Sequence, residues 1–273
     1  MSLSWLERLQ VGIGPSRIDV IRLRAGSRAA VSASHSVEYS VAPGQSGAQA
    51  IASALREALA SVRGKRIPCA IVLSNTFARY ATLPWREELT DPTARAAYAR
   101  AHLANTYGPA AANWEFVQDD SAYGLPTAVC ALERDLLTAL RAAVREAGPW
   151  LTSVRPYFSA AFNHVPDRLK NRELWLAVAE RERLCLAQVS RGSLMLLRAQ
   201  RVSHSVSAEL ASMLERELLS AGSAGAGVSL YVFAPEVSPE ALTAPQGIDA
   251  HYFDSRAYLA PVGGDARYAL ALA

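Results

Sequence analysis

One order of elements occurs twice along this chain, and it limits the fold more than any single residue does. Three strand-like runs, a helix and a fourth strand-like run span 9–74, and the same order returns over 173–233. Three consecutive strands need only tight turns to pair antiparallel, whereas the helix supplies the crossover that lets a fourth strand lie parallel. A unit of this kind written twice implies two similar lobes with a cleft between them, divided at 1–168 and 169–273. A plain α/β sheet, with the repeat a coincidence, is the alternative.

In the first copy, runs at 9–14 and 17–25 flank the turn Gly14-Pro15-Ser16. Along the second run Ile18, Val20, Ile21 and Leu23 alternate with Asp19, Arg22 and Arg24, the pattern of a half-buried strand. A strand at 29–41 precedes the breaker Pro43-Gly44-Gln45-Ser46-Gly47. The helix over 46–63 carries Ile51, Leu55, Leu59 and Val62 on one face, and Arg63-Gly64-Lys65-Arg66 stops it. The run 68–74 is apolar enough for a strand covered on both faces. Between the copies come a strand at 76–83, a helix at 90–107 opened by Thr90-Asp91-Pro92, strands at 114–119 and 126–132, a helix from Asp135 to 147, and an extended stretch at 151–158. The second copy reads as strands 173–180, 183–190 and 194–202, then helix 205–221, the stop Gly222-Ser223-Ala224-Gly225, and strand 228–233.

Of the 273 residues 51% are hydrophobic and 19% charged, which suits a sizeable core and excludes wholesale disorder. A net charge of +3 is too weak to point to nucleic acid or an anionic membrane. Cys69, Cys130 and Cys185 are odd in number and far apart in apolar runs, so they read as small buried residues of a reducing compartment, not as disulfides or zinc ligands. The start, Met1-Ser2-Leu3-Ser4-Trp5-Leu6-Glu7-Arg8, lacks the apolar region of a signal peptide, and no stretch approaches the ~20 apolar residues of a spanning helix. A cytoplasmic chain is expected.

Three places resemble the actin-like, ribonuclease-H-like superfamily, and within it PilM of type IV pilus assembly and the cytoplasmic part of the GspL proteins of type II secretion. They are Val11-Gly12-Ile13-Gly14-Pro15-Ser16-Arg17-Ile18-Asp19-Val20, then Ser74-Asn75-Thr76-Phe77-Ala78-Arg79-Tyr80-Ala81-Thr82-Leu83-Pro84-Trp85, and Ser153-Val154-Arg155-Pro156 followed by Ala160-Ala161-Phe162-Asn163. The resemblance is stronger as a topology than as a motif. It implies a two-lobed actin-like, duplicated ribonuclease-H-like α/β fold of mixed sheets flanked by helices. It also implies a cytoplasmic protein at the inner face of the inner membrane whose partner is an inner-membrane pilus or secretion protein.

An actin-like nucleotide site needs an acidic residue for the metal and small residues whose backbone N–H groups approach the phosphates. Gly12, Gly14 and Ser16 supply the small residues, and Arg17 is placed to meet an anion. Ile13 or Gly14 stands where the acid belongs, and Pro15 removes a donor. The plain reading is that Gly14-Pro15 closes a β-turn. At the second hairpin, Ala179-Glu180-Arg181-Glu182-Arg183-Leu184, Glu180 is the candidate for the metal-facing carboxylate, but no glycine follows. A solvated charged turn is the better reading there. Phe233-Ala234-Pro235-Glu236-Val237 replaces the glycine pair expected at an adenosine site, and Gly263-Gly264-Asp265 falls in a terminal loop. Three departures together argue against ATP hydrolysis, so ATP and magnesium are not expected as cofactors.

His35, His102, His164, His204 and His251 are scattered without metal-ligand spacing, and neither a G-x-S-x-G elbow nor a P-loop occurs. Trp85, Trp114, Trp150 and Trp175 stand near element ends, as core-edge packing or interface anchors. Helix 90–107 presents Arg95, Tyr98, Arg100 and His102 as a solvated or partner-binding face. The expectation is a non-catalytic scaffold that binds a segment of an inner-membrane protein. A divergent ATPase or kinase of the same superfamily is the alternative.

Overall fold

The computed structural model describes residues 7–24, 30–62, 66–89, 91–167, 172–220, 228–238, 241–243 and 247–273. The amino-terminal residues 1–6, the cap at Thr90 and the helix stops at 63–65 and 222–225 lie outside the described residues. In chain order the elements are β1 (Arg8–Ile13), β2 (Arg17–Leu23), β3 (Val31–Glu38), α1 (Gly47–Val62), β4 (Pro68–Leu73), β5 (Arg79–Leu83), α2 (Pro92–Tyr107), β6 (Trp114–Gln118), β7 (Thr127–Glu133), α3 (Arg134–Ala147), β8 (Trp150–Pro156), α4 (Tyr157–His164), β9 (Leu174–Ala179), β10 (Arg183–Ser190), β11 (Ser193–Arg201), α5 (Val206–Ser220), β12 (Ser229–Phe233), β13 (Asp249–Tyr252), α6 (Ser255–Leu259) and α7 (Ala269–Leu272).

The chain packs as two compact units, one of Met1–Phe77, Arg134–Ala160 and Asp254–Ala273, the other of Ala78–Glu133 and Ala161–Phe253. This division differs from a single cut at 168/169, because residues 78–133 pack with the second half and the last twenty return to the first.

The first unit holds a sheet of order β3-β2-β1-β4-β8. β2 runs antiparallel to β1 and β3, while β4 is parallel to both β1 and β8. Strand pleating divides the hairpin by face. Gly12 pairs with Asp19, so these two share a face with Ile21 and Leu23, which Tyr268 and, from α7, Ala271 cover. Val11, Ile13, Ile18 and Val20 are fully buried on the other face. α1 buries Ile51, Leu55, Leu59 and Val62, the stripe its periodicity predicts, and packs against β2, β3 and α3. β4 is enclosed on both faces, as its unbroken apolar run predicts. The extended reading of 151–158 holds as far as Pro156, and Tyr157–His164 is the helix α4. Asn75 Oδ1 accepts the buried Phe158 N–H at 2.9 Å in its first turn.

The second unit holds a sheet of order β11-β10-β9-β12-β13, which repeats the antiparallel triple followed by two parallel strands. Val206, Leu210, Met213, Leu214 and Leu218 of α5 pack on it with Trp175, Leu184, Leu186 and Leu230. A separate antiparallel sheet, β5-β7-β6, is covered by α2 through Ala99 and Leu103 against Ala81, Leu83, Trp114 and Val129. The backbone N–H of Leu197 on β11 donates to Thr82 Oγ1 at 2.9 Å, joining this sheet to its neighbour.

Candidate functional site

The hairpin between β1 and β2 gathers Gly12, Gly14, Ser16 and Arg17, while Glu180 stands on the corresponding hairpin of the other unit. Gly14 N–H donates to the Arg17 carbonyl at 2.8 Å, a cross-strand bond at the end of the hairpin with Pro15 and Ser16 between the two residues. Tyr39 holds both limbs of the turn. Its hydroxyl donates to the Gly14 carbonyl at 2.7 Å and its backbone N–H to the Ser16 carbonyl at 2.8 Å. Burial raises the Tyr39 phenol far above its ordinary value, so this donor keeps its proton. Ser16 and Pro15 are exposed.

Gly12 faces protein. A Cβ on it would stand 2.6 Å from the Ala271 backbone nitrogen and 2.6 Å from Leu270 Cβ. The close approach of α7 to β1 is therefore what requires glycine at this position.

Arg17 does meet an anion, and that anion is internal. Its Nε lies 3.0 and 2.9 Å from the two Asp19 oxygens, and a terminal nitrogen donates to the Arg267 carbonyl at 3.2 Å. Asp19 is 1% exposed, not on a solvated face as simple alternation predicts, and it also accepts from the Ser36 hydroxyl. Burial raises its carboxyl above the usual 3.8, against the opposing pull of Ser36 and Arg17. The readable signal was the i, i+2 spacing, which puts Arg17 and Asp19 on one strand face.

The second hairpin closes in the same way, with Glu180 N–H donating to the Arg183 carbonyl at 2.8 Å. The solvated turn expected there holds only for Arg181 and Glu182, which are exposed, whereas Glu180 is 5% exposed. Its charge and that of Arg183 act in opposite senses on Tyr80 and Cys185, both raised chiefly by burial. Glu180 is thus part of an interior cluster. After β12, a turn closed by Val237 N–H to the Ala234 carbonyl leads away from an aromatic group. There Phe233, fully buried, lies 4.4 Å from Phe253 and 5.7 Å from His164, centroid to centroid.

Cys69 and Cys185 are buried and Cys130 partly so, all with free thiols, and burial pushes Cys69 and Cys130 up to about 12. Among the described residues no group of three or more His, Cys, Asp and Glu is placed to hold a metal ion, and no helix is long and apolar enough to cross a membrane.

No family model matches the chain, and no curated protein does. Solved structures do. The PilM-PilN type IV pilus biogenesis complex contains a chain that is 16% identical, with a TM-score of 0.63 over 98% of this chain and 97% of that one. The cytoplasmic domain of EpsL, an inner-membrane component of the type II secretion system of Vibrio cholerae, is 14% identical, with a TM-score of 0.61 over 90% and 89%. A Bacteroides thetaiotaomicron protein of actin-like ATPase fold and unknown function is 11% identical, with a TM-score of 0.55 over 84% and 82%. Together with the sheet order found twice, these likenesses establish that the chain has the actin-like ATPase fold.

Proposed function

We propose that this chain is a non-catalytic, actin-like scaffold at the cytoplasmic face of an inner membrane, holding a segment of an inner-membrane protein in a type IV pilus or type II secretion assembly. The observation that carries this reading is the state of the first hairpin. Gly12 is filled by α7, the Gly14 N–H is spent on the Arg17 carbonyl, and Arg17 is spent on Asp19. Phosphates need free donors and close backbone approach, and in this hairpin the Gly14 N–H, the Arg17 Nε and the space beside Gly12 are already taken up within the protein. The machine is suggested by the fold, shared with a chain of a PilM-PilN complex and with the cytoplasmic domain of an inner-membrane secretion component.

Photo-crosslinking the chain to isolated inner membranes, followed by mass spectrometry, tests the partner. A single-pass membrane protein joined through its cytoplasmic segment is the expected product. Crosslinks to soluble proteins alone would contradict the proposal. The rival reading, an ATPase or kinase, draws on the buried carboxylate of Glu180. It requires that Glu180→Ala abolish ATP binding by the wild-type chain, whereas the scaffold reading expects no such binding to lose.

A further inference from the structure

A groove lies between the end of β5, α2 and the turn joining β6 to β7, entirely inside the second unit. Its volume is about 270 Å³. That is just below the ~300 Å³ at which drug-sized ligand pockets begin, so it suits one or two side chains better than a nucleotide. Aromatic surface stands open around it. Trp85 and Tyr123 are 38% and 76% exposed and meet edge to face with centroids 4.9 Å apart. Leu89 and Tyr98 extend the apolar wall. The guanidinium of Arg86 lies over the Tyr98 ring at 5.3 Å, and Arg95 adds a second cation.

Among the described residues no acidic side chain lines the groove, and neither Arg86 nor Arg95 makes an ion pair. Arginine, tryptophan and tyrosine are the residues that dominate interface energetics. A guanidinium fork matches a carboxylate in shape as well as charge. Arg17 makes this pairing inside the protein with Asp19, whereas Arg86 and Arg95 line the groove.

We infer that this groove binds a short peptide segment of a partner protein in which a carboxylate side chain neighbours a bulky apolar one. The carboxylate meets Arg86 and Arg95, and the apolar group lies against Trp85, Tyr123 and Leu89. Attributing the segment to an inner-membrane protein rests on the function proposed above, whereas the recognition chemistry does not.

Selection of a random seven-residue phage-displayed peptide library on the whole chain provides the test. Enriched sequences should place Asp or Glu beside an aromatic or aliphatic residue. Synthetic peptides of those sequences should bind at least tenfold more weakly to R86E/R95E and to Trp85→Ala. Replacing the peptide acid by Lys should restore affinity for R86E/R95E, a swap that a merely unfolded variant would not show. The milder R86Q/R95Q should weaken binding in the same sense. A selected set without acidic enrichment, or affinities indifferent to the arginine variants, would overturn the inference. So would concentration-dependent dimerisation abolished by Trp85→Ala, which would make the occupant a second copy. If the groove fails this test while a membrane protein still crosslinks, the groove assignment falls alone. If the peptides bind as expected and no membrane protein crosslinks, the membrane assignment falls and the groove stands.

Discussion

A methyl group at position 12 would press on the backbone of α7 at 2.6 Å, whereas one at position 14 would find only ordinary contacts at 3.5 and 3.8 Å. Two glycines two residues apart in one hairpin should therefore respond differently. Gly12→Ala should cost about 1–3 kcal/mol, the usual range for overpacking, seen as a lower urea midpoint at unchanged slope. Gly14→Ala should stay within about 1 kcal/mol by the same measurement. Asp19 gives a pH signature. Its carboxyl titrates above 3.8 in the folded chain, so the folded state holds more protons than the unfolded one in the window just above that value. Stability contributed by the protonated carboxyl is complete below 3.8 and is lost as pH rises through the folded value. Asp19→Asn should remove this downward slope in urea-melt stability measured from pH 3.5 upward; an unchanged slope would contradict the assignment. Both glycines and Arg17 were visible in the sequence as special. The Arg17–Asp19 pairing is legible in their i, i+2 spacing, but what Gly12 touches is not, because it answers to Leu270 and Ala271, more than 250 residues away.

Among the elements, α7 is four residues long yet packs on β1, β2 and β4 of a five-stranded sheet. Leu270 is 4% exposed there, packed against Gly12 and Gly14. Leu270→Ala should cost about 2–4 kcal/mol through lost burial and the cavity left behind, and calorimetry should show it as a lower melting temperature. Amide hydrogen exchange should rise first in β1 and β2; protection unchanged in those strands would show that α7 is not their cover. The long elements were legible because their periodicity is self-contained: α1, α3 and α5 bury the stripes their spacing marks. Short ones were not. α4, α7 and β13 have too few residues to display a period, and tertiary contacts decide them, as Asn75 does for the first turn of α4. Glu180 departs from the sequence pattern for a related reason. A charge-rich turn reads as solvated, but only Arg181 and Glu182 are exposed, and Glu180 is buried.

At the scale of the whole molecule, the repeated order of elements is the most informative pattern in the chain, and each copy supplies four strands of a mixed five-stranded sheet of the same order. The strands at 79–83, 114–118 and 127–133 were also readable one by one. Their closure into a third sheet that packs with the second copy was not, since strand pairing across a long insertion leaves no local trace. The same limit applies to function. The fold alone does not decide nucleotide chemistry, and at the first hairpin the Gly14 N–H, the Arg17 Nε and the space beside Gly12 are taken up within the protein. Isothermal titration of the whole chain with ATP and magnesium tests this most directly. No saturable heat and no phosphate release are expected at millimolar nucleotide; saturable binding accompanied by turnover would overturn the non-catalytic reading.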